Sequence, residues 1–379
     1  MTVSPDRTLI FSPNWLGDAV MSLPALEALH AAHPEEELWV LTRRQNSGIY
    51  EYVPFLRGVI ELPSGEPAGA TRSARAPSGA VRIPRPAKAS LPRRIAQSLW
   101  SYSATVKDLR QHRFQHAFLF PNSFRSALLV FLGGARRRVG YATDGRSALL
   151  TDAIPCMEEI RRLHMTAYYA NVVESAGITM PQPLPAPQLR VTREQALRAK
   201  ELLGRVRRPL WGLNPGAAYG GAKRWPADRF AGLAAELVSA SGGSVVVFGG
   251  GSERDTARQV VSRLPAGRFV DLCGRTSLAE LVAAIADCDV FITNDSGPMH
   301  VAQAVGTPLV AIFGPTDLAT TGPSGGKFKI VRKEGSCPQS PCLRRACPTD
   351  HRCMTAIAVE EVARESLRML GQRPESSRQ

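Results

Sequence analysis

The segment from Val290 to Phe313 limits the possible folds of this chain more than any other, because it holds two strands and a helix with little sequence between them. Val290–Thr293 is β-branched and aromatic, which predicts a short buried strand. Asn294–Ser296 are helix-capping residue types, and Gly306 ends the helix that follows. A second strand, Leu309–Phe313, comes almost at once. Strands joined through a helix in this way lie parallel, so the segment predicts an α/β fold.

The turn between the first strand and the helix has the composition of an anion site. Asp295, Ser296 and Gly297 form a tight turn at the helix N-terminus, where free N–H groups and the helix dipole attract phosphate. His300 lies in the first turn of this helix and would point back toward the same place. A histidine packed in the core is the alternative interpretation of that residue. The unit predicts a binding site for a phosphorylated small molecule.

Strands alternate with helices along most of the chain, in two runs. The first run begins with a strand at Thr8–Phe11 and a helix from Asp18 to about His30, and the second with a strand at Leu210–Leu213. Between them four prolines, Pro181 to Pro187 at every second position, exclude a helix or a central strand. We therefore predict an α/β protein of two Rossmann-like, doubly wound domains that face each other across a cleft.

The same pattern divides the chain into parts. Residues 1–180 form the predicted N-terminal domain, 181–190 the linker and 191–355 the C-terminal domain; a last helix, within 356–371, is expected to pack back toward the first domain. Residues 63–92 are rich in Pro, Ala, Ser, Gly and Arg, which predicts a flexible basic insertion. We see no spanning segment and no signal peptide, so we expect a cytoplasmic protein.

The formal net charge of +14 is partly local, since ten Lys and Arg residues but two Asp and Glu residues lie between Ser64 and Arg113. Nucleic acid is one possible partner, but the chain shows no basic stripe interleaved with aromatics and no nucleic-acid module. Anionic lipid headgroups or a phosphorylated acceptor fit the uneven charge better. Solvated charge on a flexible loop remains open as an interpretation.

Four cysteines, Cys337, Cys342, Cys347 and Cys353, lie close together with His351 near the end of the chain. Their gaps of four, four and five residues differ from the common C-x2-C spacing of zinc sites. A structural metal and a loop that is merely rich in cysteine are the two interpretations, and we predict no metal. Free thiols agree with a reducing compartment.

Further polar residues follow other predicted strands and would meet at the cleft. Asp18 opens a helix after the loop that contains Asn14, where a carboxylate in a dry pocket could take a proton from a hydroxyl; it could equally be a helix cap. The glycine-rich stretch Asn214–Pro226 offers Lys223 and Arg224 to a diphosphate, or is a flexible hairpin. Glu253 could accept ribose hydroxyls, or simply favour a helix dipole.

With these segments, the chain resembles the ADP-heptose:lipopolysaccharide heptosyltransferases, the inverting bacterial glycosyltransferase family nine. The resemblance lies in LGDAVMSLPALEALH (Leu16–His30), PNSFRSAL (Pro121–Leu128), NPGAAYGGAKRWP (Asn214–Pro226) and TNDSGPMHVAQA (Thr293–Ala304), in that order. PNSFRSAL and AKRWP favour the members that add the second inner-core heptose. The resemblance implies the glycosyltransferase-B fold, with the acceptor on the N-terminal domain and the nucleotide sugar on the C-terminal one. It implies no cofactor.

The resemblance also implies a role for each candidate residue. Asp18 would be the general base, and Lys223 would neutralise the departing ADP diphosphate. The residues implied to bind the donor are Gly216, Ala217, Ala218, Arg224, Glu253, Asp295, Ser296, Gly297 and His300. The residues that would face the acceptor are Asn14, Asn122, Ser123 and Arg125.

The chemistry of the residues agrees with these roles. Direct displacement at an anomeric carbon needs a base on one side and stabilisation of a departing diphosphate on the other. We expect activity without an obligatory divalent metal, and a monomer bound electrostatically to the cytoplasmic face of the inner membrane, where a phosphorylated Kdo-lipid A acceptor lies. The alternatives are a family member that adds the first heptose or uses another acceptor, a non-catalytic nucleotide-sugar-binding protein, and a nucleic-acid binder.

Overall fold

The computed structural model describes residues 5–63 and 103–371 as an α/β protein with two parallel six-stranded sheets. The strands of the first sheet are β1 (Arg7–Phe11), β2 (Glu37–Arg43), β3 (Gly58–Leu62), β4 (His116–Leu119), β5 (Arg137–Tyr141) and β6 (Asp152–Ile154). Those of the second are β7 (Leu210–Asn214), β8 (Ser244–Val247), β9 (Phe269–Asp271), β10 (Val290–Asn294), β11 (Leu309–Ile312) and β12 (Phe328–Val331).

The helices connect these strands and cover the sheets. In the first half they are α1 (Leu16–Met21), α2 (Leu23–Ala32), α3 (Arg44–Ser47), α4 (103–112), α5 (Phe124–Leu132), α6 (Glu158–Arg161) and α7 (Met165–Glu174). In the second half they are α8 (Arg193–Leu203), α9 (Ala227–Ser241), α10 (Arg254–Val261), α11 (Leu278–Ala286), α12 (Gly297–Ala304), α13 (Leu318–Thr321), α14 (Arg352–Thr355) and α15 (Val359–Gly371). Short 3-10 turns cover Gly48–Tyr52, Ser147–Leu149, Gly221–Lys223 and Gly251–Glu253.

Both sheets have the same strand order. The first runs β3-β2-β1-β4-β5-β6 and the second β12-β11-β10-β7-β8-β9. Each is a Rossmann sheet in which the order of strand addition reverses beside the first strand of the domain, β1 or β7. The strands β7, β8, β10 and β11 are buried along their whole length, as expected of parallel strands covered on both faces. The predicted pair of doubly wound domains is confirmed.

The predicted helix from Asp18 to His30 is two helices, α1 and α2. They separate at Ser22, which keeps helical backbone angles while its hydroxyl donates to the carbonyl of Ala19 at 2.8 Å. Pro24 lies in the first turn of α2, where its missing N–H costs nothing. The first helix is thereby free to take its own direction, which places its N-terminal end at the cleft.

The proline-rich stretch forms neither helix nor strand, and the two halves meet beyond it. The Tyr52 hydroxyl donates to the Ala279 carbonyl at 2.6 Å, and the His164 ring Nε2 lies 2.9 Å from the Gly322 carbonyl. Helix α1 packs against α12, and a continuous cluster of buried apolar residues includes side chains of both sheets. The carboxyl ends of β1 and β10 therefore open on a shared cleft.

The last helix is not where the sequence placed it. We predicted that the helix within 356–371 packs toward the first domain, but α15 packs against α9 and strands β10 to β12 of the second. Val362, Ala363 and Met369 join the cluster around Trp225 and Phe230. An amphipathic pattern shows which face of a helix is buried but not which partner buries it.

The predicted insertion at residues 63–92 lies outside the described residues, apart from Pro63. Helix α4 is described from residue 103 onward. Within the described ranges, every helix is too short or too polar to span a lipid bilayer.

Candidate active site

Asp18 lies in the first turn of α1, directly beyond the carboxyl end of β1. Two hydrogen bonds fix the loop that connects β1 to α1. The Tyr50 hydroxyl donates to Ser12 Oγ, and the Asn46 side chain donates to the Asn14 carbonyl at 3.0 Å. Asn14 itself accepts from Arg43 Nε at 2.7 Å through its side-chain oxygen. A tight loop of this kind fixes the direction from which the Asp18 carboxylate enters the cleft.

The Asp18 carboxyl group has a pKa raised to about 6. Burial is the main cause, because it penalises the ionised form, and the positive charge of Lys223 from the other domain partly offsets it. A carboxylate with this pKa is largely ionised at neutral pH, yet is more basic than an exposed aspartate. It has the properties of a general base.

Lys223 faces the cleft from the second domain and is held by a buried carboxylate. Its Nζ lies 2.6 Å from Asp295 Oδ2, and the hydroxyl of Thr316 donates to the same oxygen at 2.6 Å. The ring of Tyr219 lies 4.9 Å from the ammonium. Asp295 is 4% exposed, and its carboxylate is engaged by Lys223 and Thr316. The predicted contact of Asp295 with the donor stays a prediction.

The N-terminus of α12 has backbone N–H groups that no side chain of the described residues caps. Ser296 stands at the cap position, but its hydroxyl does not bond to the helix. It instead accepts from Asn214 Nδ2 at 3.0 Å and lies 3.0 Å from Thr293 Oγ1. Uncapped helix N-termini can bind anionic oxygens, so this geometry is compatible with the predicted phosphate site, which stays a prediction.

Gly216, Ala217, Arg224 and Glu253 form a second group beside Lys223. A Cβ atom on Gly216 would stand 2.0 Å from Glu253 Oε1, so only glycine allows this approach. The Glu253 carboxylate accepts from the Gly250 N–H at 2.8 Å and lies 3.5 Å from Arg224, which also donates to the Ala217 carbonyl. The neighbouring Ala218 is exposed. These contacts bring the predicted donor residues of two loops together.

His300 is buried at the contact between α1 and α12. A Cβ atom on Gly17 would stand 2.8 Å from His300 Cδ2, and one on Gly297 would stand 2.9 Å from Leu16 Cβ. Burial lowers the pKa of His300 to about 4, so the ring is neutral at physiological pH. Its Nδ1 has no hydrogen-bond partner in the described part of the chain. His300 is thus packed in the core, which was the alternative interpretation, and it also lies next to the candidate site residues of α1 and α12.

Asn122, Ser123 and Arg125 lie on the first domain, at and near the N-terminus of α5. Ser123 Oγ caps this helix by accepting from the Ser126 N–H, and Asn122 Nδ2 donates to the Tyr168 hydroxyl at 2.7 Å. All three residues are exposed, which agrees with the predicted contact with an acceptor.

The sequence did not point to Arg146, which is fully buried beneath this loop. Its guanidinium donates to the carbonyls of Tyr141 and Pro121 and to Ser126 Oγ. Burial lowers its pKa to about 10. A buried cation that donates to loop carbonyls fixes the backbone just before Asn122.

The cysteine-rich segment supports the Lys223 loop. The Ala222 N–H donates to the Arg345 carbonyl at 3.1 Å, and the His351 ring Nε2 lies 2.7 Å from the Ala222 carbonyl. The Tyr219 hydroxyl donates to the Leu343 carbonyl at 2.8 Å. All four cysteines of the segment are free thiols.

Two groups of potential metal ligands occur among residues 5–63 and 103–371. Both lie at the amino ends of the strands of the first sheet, away from the cleft: Asp6, Glu36 and His116, and His33, Glu35 and Glu36.

The two charged groups that face each other were predictable from the sequence, but their supports were not. Thr316 and Asn214 bond directly to the site residues Asp295 and Ser296. His351 and Arg146 bond to the carbonyls of Ala222 and Pro121, the residues that precede Lys223 and Asn122. Asn214 is the last residue of β7, and this position at the carboxyl end of a strand could have identified it. Thr316 follows β11 after a short loop, which is a weaker signal of the same kind.

Known proteins share this arrangement. The profile of glycosyltransferase family 9 (heptosyltransferase) matches residues 103–352. Lipopolysaccharide heptosyltransferase 2 of Salmonella typhimurium is 32% identical over 86% of this chain and 88% of its own length, and that of Escherichia coli K12 has the same identity and coverage. The structure of E. coli ADP-heptose lps heptosyltransferase II superimposes with a TM-score of 0.79 at 26% identity, over 97% of this chain and 99% of that one.

The profile match lies within residues 103–352, whereas the structural match covers 97% of this chain and therefore both domains. The fold is the glycosyltransferase-B fold, and the protein is a glycosyltransferase. The chain belongs to glycosyltransferase family 9, the heptosyltransferases.

Proposed function

We propose that this enzyme transfers L-glycero-D-manno-heptose from ADP-heptose to heptosyl-Kdo2-lipid A, in the inner core of lipopolysaccharide, with inversion at the anomeric carbon. The names of the relatives at 32% identity support the addition of the second heptose, and the name of the similar E. coli structure supports ADP-heptose as the donor. The observation that carries the chemistry is the half-buried Asp18 carboxylate with its raised pKa, which shares the cleft with the Lys223 ammonium of the other domain.

The proposed reaction is a direct displacement. Asp18 takes the proton of the acceptor hydroxyl as its oxygen forms a bond to the anomeric carbon. The bond from that carbon to the β-phosphate oxygen breaks on the opposite side, and ADP leaves with the bonding electrons. Lys223 and the N–H groups of α12 meet the charge that develops on the diphosphate.

The two domains divide the substrates between them in this proposal. Residues 191–355 bind ADP-heptose through Gly216, Ala217, Ala218, Arg224, Glu253, Ser296, Gly297 and His300, with Asp295 holding Lys223 in place. Residues 1–180 bind the acceptor through Asn14, Asn122, Ser123 and Arg125. Lys223 takes the part that a divalent cation plays in other sugar transfers, so we expect activity to persist in excess EDTA.

We further propose that the enzyme acts as a monomer at the cytoplasmic face of the inner membrane. Its acceptor carries acyl chains that stay in the bilayer, whereas ADP-heptose is water-soluble. The net charge of +14 favours electrostatic attachment to anionic lipid.

The test is ADP release from ADP-heptose in the presence of heptosyl-Kdo2-lipid A, for the wild type and for Asp18→Ala. We expect the wild type to turn over and the variant to lose about 10²–10⁴-fold in kcat while still binding ADP-heptose, as for loss of a general base. Equilibrium binding of ADP-heptose to both proteins serves as the control for folding.

The other outcomes separate the alternatives. Turnover only with the heptose-free acceptor would assign the first heptose instead of the second. Binding of ADP-heptose without turnover on either acceptor would leave a nucleotide-sugar-binding protein. Equal activity of the wild type and Asp18→Ala would exclude Asp18 as the base.

A further inference from the structure

Helix α5 carries an exposed apolar stripe formed by Phe124, Leu128 and Phe131. The three positions are spaced by four and three residues, so they share one face of the helix. Phe124 is 43% exposed and Phe131 is 45% exposed, whereas Ala127 and Val130 on the other face are buried against the first sheet. Two large aromatic side chains exposed on one helix face indicate a contact surface.

Cations surround this α5 stripe. The guanidinium of Arg138 lies 5.2 Å from the centre of the Phe131 ring. Arg110 Nε donates to the Leu132 carbonyl at 2.8 Å, and this bond holds α4 against the C-terminal end of α5. The exposed basic residues of the two helices and the following turn are Lys107, Arg110, Arg113, Arg125 and Arg136.

Two carboxylates lie in the same region, and both already have partners. Asp144 accepts from the Phe124 N–H at 2.7 Å, and Asp108 lies 3.5 Å from the His112 ring. With these two carboxylates against the six cations just named, the surface around the stripe keeps an excess of positive charge.

The positive charge around the α5 stripe decides which of three possible partners can cover it. A second copy of the chain would bring two arginine-rich rims together. The chain's own residues 64–102 contain seven Lys and Arg residues but a single acidic residue, Glu66, so they too would be repelled. An anionic phospholipid bilayer accepts both features, because its headgroups pair with cations and its acyl boundary accepts aromatic side chains.

We infer that the α5 stripe and its cations dock this protein on an anionic phospholipid bilayer, with Phe124 and Phe131 entering the headgroup region. This inference rests on the proposed function for its purpose: Asn122 and Ser123 directly precede α5, so docking holds the proposed acceptor site at the surface where a lipid-linked acceptor is anchored. The binding itself requires no acceptor.

The test is co-sedimentation of the full chain with vesicles of phosphatidylcholine that contain about one third phosphatidylglycerol. We expect the double variant Phe124→Ser/Phe131→Ser to lose about tenfold in vesicle partitioning. Phe328→Ser is the matched control, since Phe328 is 40% exposed on β12 of the second domain, and it should partition like the wild type. Lys107→Gln/Arg113→Gln should weaken binding and reduce its salt dependence.

Three results would overturn the inference. These are no wild-type binding to anionic vesicles, equal loss in the Phe328 control, or a double variant that partitions like the wild type. A dimer that the double variant abolishes in the absence of lipid would assign the surface to a second copy instead. Transfer to an acceptor fragment without acyl chains should be unchanged in the double variant, so this assay reports on the proposed function separately.

Discussion

At the scale of single residues, the site depends on a carboxylate that the protein makes unusually basic. The raised pKa of Asp18 means that folding penalises its ionised form. Its contribution to stability is therefore favourable at low pH and is lost as the pH rises through about 6. Reactivity and stability make opposite demands on this one group.

We expect kcat/KM of the wild type to fall below about pH 6, as Asp18 becomes protonated. Asp18→Asn should lose about 10²–10⁴-fold in activity and gain about 1–3 kcal/mol in stability at pH 8, because the buried charge is removed. A pH–rate profile and urea unfolding at pH 4 and pH 8 measure both effects. A variant less stable than the wild type at pH 8 would show that burying the Asp18 charge does not destabilise the protein.

Thr316 is expected to act through Lys223. Thr316→Val removes the hydroxyl that donates to Asp295 Oδ2 and leaves the lysine as the remaining partner of that oxygen. The lysine should then be drawn toward Asp295, and kcat/KM for ADP-heptose should fall about 5–30-fold, equivalent to about 1–2 kcal/mol. Thr320→Val, which removes a hydroxyl bonded to the Asp317 carbonyl, is the control and should behave like the wild type. An equal effect of both substitutions would contradict a specific role for Thr316.

At the scale of elements, the cysteine-rich segment stabilises the Lys223 loop through hydrogen bonds. His351 reaches the Ala222 carbonyl, next to the lysine, from a left-handed backbone conformation with φ of 60°. Such a conformation suits asparagine better than most residues, so a shorter side chain can be introduced there with little backbone strain.

His351→Asn should therefore fold normally but release the loop. We expect a rise in KM for ADP-heptose and a fall in kcat of about 3–10-fold, with KM for the acceptor unchanged. Asp350→Asn in the same segment is the control, because Asp350 bonds to Arg352 rather than to the loop. Steady-state kinetics with each substrate varied in turn distinguish the two. A change confined to the acceptor KM would refute the bracing role.

Element boundaries were predictable where a local signal marks them. The start of α8 is one such boundary, where Thr192 and Gln195 have the sequence spacing of a capping box and form one in the structure. The break at Ser22 also had a local signal that the prediction overlooked, because Pro24 lies inside the predicted helix, where a proline removes a backbone hydrogen bond and kinks or breaks the helix. The prediction that α15 packs toward the first domain was wrong because tertiary packing, and not the sequence pattern of a helix, determines which surface covers it. Arg146 could not be foreseen either, since an arginine is rarely buried completely.

At the scale of the whole molecule, the two domains contact each other through glycines where α1 packs against α12, next to Asp18. Gly17 precedes Asp18 in α1, and any Cβ at this position would press on His300 of the other domain at 2.8 Å. The backbone of Gly17 is thus a spacer that sets how closely α1 approaches α12.

Gly17→Ala should separate the domains slightly without unfolding either one. We expect kcat to fall about 10²-fold, because displacement of Asp18 by about 1 Å disturbs a positioned reaction, while binding of ADP-heptose is retained. Gly232→Ala is the matched control, since Gly232 is also helical but its Cβ would stand 3.5 Å from Val359, an ordinary contact. Kinetics and calorimetric binding test this prediction, and unchanged kcat in Gly17→Ala would disprove the spacer role.

The division of the charged groups between two sheets has a consequence for the fate of the sugar nucleotide. Asp18 belongs to the first domain, whereas Lys223 and the α12 N-terminus belong to the second. In the proposed mechanism, the second domain supplies the cation that helps ADP depart, but the base that could activate a water molecule comes from the first. Wasteful hydrolysis of the activated sugar would then require the first domain as well, which also carries the proposed acceptor site.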